Sequence, residues 1–194
     1  MMPAGRLRTG IVSILLVVLA GSVEPRDARA DIVALEGRPM TVGVTIVAIE
    51  DGRLRYQLGS GHPMERPIEQ VKFLRITGAD AFNEAEKLMQ AGRSRAAAAA
   101  YEKLLEPTAS TAPADGLDLG LLVRCRLARA HDLDGRFDRA VAVYLGLIER
   151  MPAVLETLRP TRLPAAGSTL LPVAADAVEA VIARHRGTPL GVSL

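Results

Sequence analysis

The sequence predicts an α+β protein: a small antiparallel β domain followed by a row of α-helices. Three observations predict it. From Asp31 to Ile76 the chain is rich in β-branched residues and alternates apolar with polar, broken by the hairpin signal Asp51-Gly52. From Ala79 onward apolar residues recur three or four positions apart, the period of a helix with one buried face. Gly92, Gly135 and several prolines cut that second half into helix-sized pieces.

Residues 1–30 stand apart as a signal peptide. Arg6 and Arg8 precede an apolar run from Ile11 to Ala20, the order of a secretory leader. The run is shorter than the ~20 residues of a membrane span. Small residues offer cleavage after Ala20 or after Ala30, and the second would open the mature chain at Asp31. An uncleaved anchor is the alternative. No cysteine lies near the N-terminus, which excludes a cysteine-linked lipid. The expectation is an exported chain, in the periplasm, the cell envelope or outside the cell, with no stable membrane span once the leader is cut.

The leader also carries the charge excess. Taking its four basic and two acidic residues from the totals of 24 and 22 leaves 20 of each. A neutral mature chain with few aromatics gives nucleic acid neither a cationic surface nor stacking platforms. The lone Cys125 allows no internal disulfide and no cysteine zinc site, and it reads as a small buried apolar residue.

Residues 31–77 form the expected β domain. Asp31 to Leu35 is a short apolar strand. Thr41 to Glu50 is a longer one, turned at Asp51-Gly52 into Arg53 to Leu58. There Leu54, Tyr56 and Leu58 share one face, and Arg53, Arg55 and Gln57 share the other. Gly59 to Pro63 is a loop. Val71 to Ile76 closes the domain, with an apolar phase shift between Phe73 and Leu74 that fits a bulge. Four or five short strands suit a small antiparallel sheet or an open SH3-like barrel. So small a sheet buries little by itself, so its apolar face must lean on the helices.

Residues 78–158 hold four helices. Phe82, Ala85 and Met89 mark the buried face of the first, and Ala97, Tyr101 and Leu104 that of the second. A Pro/Ser/Thr-rich linker covers 107–116. The third helix runs from about Leu119 to Leu133. The fourth has the cleanest stripe, Phe137, Ala140, Val141, Tyr144, Leu147, Ile148 and Met151, and stops at Pro152. A Pro-rich connector and a last helix, about Pro172 to His185, occupy 159–187, with Val178, Val181 and Ile182 facing inward. Residues 188–194 are a loose tail.

The two hairpins repeat. Gly92 is followed by Ala97, Tyr101 and Leu104, and Gly135 by Ala140, Tyr144 and Leu147, with offsets of five, nine and twelve in both. This resembles the second half of the tetratricopeptide repeat, over about residues 79–152. There glycine makes the turn between helices, a small residue allows close approach, an aromatic fills the gap and a proline follows, as Pro152 does. The first helices depart from the pattern. They lack the usual Trp and Gly, with Ala85 and Ala128 as their small residues. The turn glycines stand 43 apart, not the usual 34 or so, and the linker accounts for the excess.

The resemblance implies stacked helical hairpins that bind a protein or peptide on the concave side made by the first helices. It places Glu86 and Arg129 at matching contact positions, with Gln90 and Asp132 beside them. The last helix would cap the stack. Two repeats fall short of the usual three, so the β domain or a partner must supply the missing cover.

Catalytic chemistry finds no motif. His62, His131 and His185 are far apart, Ser60 lacks the strand-turn-helix setting of a nucleophile elbow, and no phosphate or dinucleotide loop is present. The stretch "DLDG" suggests calcium, but a loop with its turn glycine at Gly135 would put Ala130 and Val141 at ligand positions. Only Asp132 and Asp134 fit, too few for a hard cation. No catalytic, cofactor-binding or metal-ligating residue is assigned. The expected function is a non-enzymatic interaction module or adaptor. Alternatives are a self-assembling structural component of the envelope, or a subunit of an envelope enzyme. A pocket holding His62 beside an acid would favour a site between sheet and helices, and a solvent-facing His62 would remove it.

Overall fold

A computed structural model describes residues 31–106, 117, 119–151 and 158–188. The leader, the 107–116 linker, Pro152 and residues 189–194 lie outside the described residues.

Five strands come first: β1 (Asp31–Leu35), β2 (Thr41–Glu50), β3 (Arg53–Leu58), β4 (Met64–Pro67) and β5 (Val71–Arg75). They form one antiparallel sheet in the order β4-β3-β2-β1-β5. The sheet is open, with β4 and β5 as its two edges, so the barrel form is not adopted. The Asp51-Gly52 turn has φ of 48° and 71°, the paired positive angles of a tight hairpin.

Bulges align the buried residues. In β2 the pairing passes from Val44 to Val42 across β1, leaving out Gly43, whose φ is 84°. Val47 is the extra residue opposite β3, which lets Ile46 and Ile49 face the same way, towards Tyr56 and Leu54. In β5 the extra residue is Lys72, not the expected Phe73/Leu74 step: Leu35 pairs with Val71 and Ala34 with Phe73. Val71 and Leu74 thereby join Val33 and Leu35 on the inner face.

Five helices follow: α1 (Asp80–Gln90), α2 (Ser94–Leu104), α3 (Leu119–Leu133), α4 (Phe137–Ile148) and α5 (Leu170–Arg184). Each packs on the next, and the sheet rests on the first helices of the two hairpins, β5 against α1 and β2 against α3. One core runs through all of it, from Val33 and Leu54 through Phe82, Tyr101 and Leu122 to Ile148 and Val181. The sheet thus covers part of α1 and α3.

The hairpin turns are alike. At Gly92, φ 72°, its N–H donates to the Met89 carbonyl, and Arg93 N–H donates to Leu88. At Gly135, φ 75°, the matching bonds run to Asp132 and from Arg136 to His131. Both are glycine C-caps in which a left-handed residue ties off the last carbonyls. Ala97 and Ala140 are fully buried, as is Tyr101, whose ring centre lies 6.2 Å from that of Phe82 on α1, and Tyr144 is buried as well. α4 ends a turn earlier than its stripe suggests, and Met151 stays buried just beyond it. α5 begins at Leu170, so Pro172 sits in its first turn. Its inward face is Ala174, Ala177, Val178 and Val181.

Candidate functional site

The side of α1 and α3 assigned to a partner is occupied by the chain itself. Glu86 is 2% exposed. Its Oε2 accepts the Leu74 N–H at 2.8 Å, and its Oε1 accepts the Tyr101 hydroxyl at 2.6 Å and lies 2.9 Å from Arg126 Nε. Arg126, also buried, donates through Nη1 to the Val71 carbonyl at 2.7 Å. Asn83 grips Ile76 at both ends: its Oδ1 accepts that N–H at 2.8 Å and its Nδ2 donates to that carbonyl at 2.7 Å. Three helix side chains thus satisfy the free edge of β5, as a neighbouring strand would. Asp31 completes the frame, its carboxylate accepting from Ile46 N–H and Thr77 N–H.

Glu86 is therefore a buried anchor and not a surface contact, which corrects its expected role. Burial next to an apolar face is offset here because each oxygen has a partner. Tyr101, fully buried, has its phenol pKa pushed well up, first by burial and then by the adjacent Glu86 carboxylate. It serves the site as a hydrogen-bond donor.

Asp132 holds the connector. Its carboxylate accepts Thr161 N–H at 2.9 Å, the Thr161 hydroxyl at 2.8 Å and Arg162 N–H at 2.9 Å. Arg162 in return donates to the Leu133 carbonyl at the end of α3. Arg129 faces outward with Glu36 at 3.5 Å, a loose surface pair, and Gln90 is exposed. The structure brings Arg129 and Asp132 together but leaves Glu86 behind them in the core. Between α3 and the connector remains a cleft of about 260 Å³, lined by Ala128, Arg129, Asp132, Leu133, Leu158, Arg159 and Thr161.

Sequence reasoning missed Asn83, Arg126 and Arg159. The signal for Arg126 was its place between Cys125 and Leu127 in an apolar helix, where a charge needs a buried counter-ion. A second polar cluster ties the hairpins together. Glu102 on α2 receives Arg139 Nη1 at 2.9 Å and has His131 Nε2 at 3.3 Å, and Arg95 pairs with Asp134 at 3.2 Å. Burial pushes the His131 pKa down, against the pull of Glu102. The two aspartates of "DLDG" are thus engaged by protein groups. Cys125 is buried, and burial pushes its thiol up to about 12. His62 is exposed in the β3–β4 loop, which removes the site imagined around it.

Among the described residues no helix is long and apolar enough to cross a membrane. Compared with known proteins, the chain matches no family model, no curated protein and no solved structure.

Proposed function

We propose that this is an exported, non-enzymatic protein-binding module built on two tetratricopeptide-like hairpins, with most of the usual groove filled from within. One observation carries the reading. The first-helix side captures extended backbone through side chains, β5 through Glu86, Asn83 and Arg126, and the connector through Asp132. The open continuation of that side is the Arg129/Arg159 cleft, with Gln90 on the neighbouring hairpin. Two guanidinium groups on an apolar floor suit a short peptide bearing an acidic side chain. Export rests on the leader-like residues 1–30.

The test is crosslinking capture from the native envelope with wild type and with Arg129→Glu/Arg159→Glu. Both side chains are exposed, so the variant keeps its fold. Specific partners lost from the variant support the reading, and an unchanged set refutes it. Exposed Leu163, Leu171 and Val173 at the α5 end favour a second reading, self-assembly, because stack ends are normally polar. A monomer by light scattering at cellular concentration removes that one.

A further inference from the structure

The outer face of the sheet carries a feature that neither the core nor the helical groove uses. Register places Arg75, Ile32 and Val42 in one row across β5, β1 and β2, and Phe73 opposite Ala34 in the next. Met40 precedes Thr41, the partner of Val33, and so flanks Ala34. Val42 is 60% exposed and Met40 49%. Ala34 and Phe73 are buried but stand outside the core cluster, as expected for residues on the opposite face from Val33 and Leu74.

Charge distinguishes this end of the sheet. Arg38, Lys72 and Arg75 are exposed around the patch, and none has an ion pair among the described residues. Of the acids on β1 and its following turn, Glu36 leans towards Arg129 in a loose surface pair, and Asp31 is buried on two backbone N–H groups. At the far end of the same face Arg53 and Arg55 share the Glu65 carboxylate. Among the described residues, cations without an ion pair therefore coincide with the exposed apolar residues.

We infer that this face rests on an anionic lipid surface, with Met40 and Val42 entering the headgroup boundary and Arg38, Lys72 and Arg75 meeting the phosphates. A sheet face suits a planar partner better than a peptide side chain, and the clefts beside Val47 and Asp51, beside Ala142 and Gly146, and between α3 and the connector are lined by other residues. Apolar side chains ringed by cations are the composition that binds such interfaces.

Co-sedimentation of the purified, processed chain with vesicles tests it, comparing phosphatidylglycerol/phosphatidylcholine with phosphatidylcholine alone. Expected is binding to the anionic vesicles only. Arg38→Glu/Lys72→Glu/Arg75→Glu should reduce it about a hundredfold or more, since each cation near such a surface contributes roughly fivefold. Met40→Ser/Val42→Ser should reduce it about tenfold. Unchanged melting curves certify that both variants are folded. Absence of binding overturns the inference, as does equal binding to both vesicle types that neither variant alters. A dimer in solution dispersed by Met40→Ser/Val42→Ser also overturns it, giving the patch to a second copy.

Discussion

Replacing Glu86 by Ala removes one carboxylate that serves three partners, and the cost follows from the geometry. The Leu74 N–H and the Tyr101 hydroxyl are left buried without acceptors, each worth about 1–3 kcal/mol. Arg126 is left as a buried charge without its counter-ion, a loss of about 3–5 kcal/mol. These losses share one group and are not additive, so about 4 kcal/mol is expected in total. For a chain of this size that lowers the melting temperature by about 8–16 °C. Urea unfolding followed by far-ultraviolet circular dichroism measures it. The double variant Glu86→Leu/Arg126→Met should cost at least ~2 kcal/mol less than the sum of the two single changes, because removing both charges leaves neither stranded. A cost below about 1 kcal/mol for Glu86→Ala, or additivity in the double variant, refutes the anchor. The same burial means that reversing the charge of Glu86 would report on folding, not on docking.

Other consequences are open to measurement. His131 has a lowered pKa in the folded state, so below about pH 6.5 only the unfolded chain takes up its proton. Its contribution is intact above that pH and is lost as the pH falls towards the folded value. Between pH 7.5 and 5.5, wild type should lose more stability than His131→Gln; equal losses would contradict this. Asp132→Ala should cost about 1–2 kcal/mol and speed amide exchange at Thr161 and Arg162, leaving the sheet unaffected. Gly92→Ala and Gly135→Ala should each cost about 1–2 kcal/mol, and by similar amounts. An added Cβ meets no atom within 4 Å at either site, so only the left-handed backbone is penalised. Cys125 should resist thiol reagents in the native state at neutral pH and react on unfolding.

What could be read in advance depended on apolar periodicity. β2 and β3 announce themselves by branched residues and an Asp-Gly turn, and the observed α3 spans the predicted residues. β4 has no such signal. Met64–Pro67 is short, charged and ends in proline, and its ladder is visible only once Glu65 lies opposite Arg55. The site was harder to read, because its residues are polar in positions where periodicity counts apolar ones. Asn83 and Glu86 lie three apart beside Phe82 and Ala85, which places both near the buried face of α1. That the strand they hold is β5 depends on the sheet folding back onto the helices, a long-range fact. The bulge at Lys72 was visible as a broken alternation but not as to its position, since the register is set by β1. Asp132 lies on α3, and its carboxylate is taken by Thr161 and Arg162 of the connector, a contact that nothing near it in the sequence encodes.

The central claim is that helix side chains replace a sixth strand along β5. Amide hydrogen exchange at Leu74 and Ile76 tests it most directly. Their N–H groups donate to the Glu86 and Asn83 side chains. Exchange is expected to be as slow as at Tyr56 inside the sheet, and faster at Leu74 in Glu86→Ala. Exchange in wild type at the rate of an uncovered edge strand would contradict it.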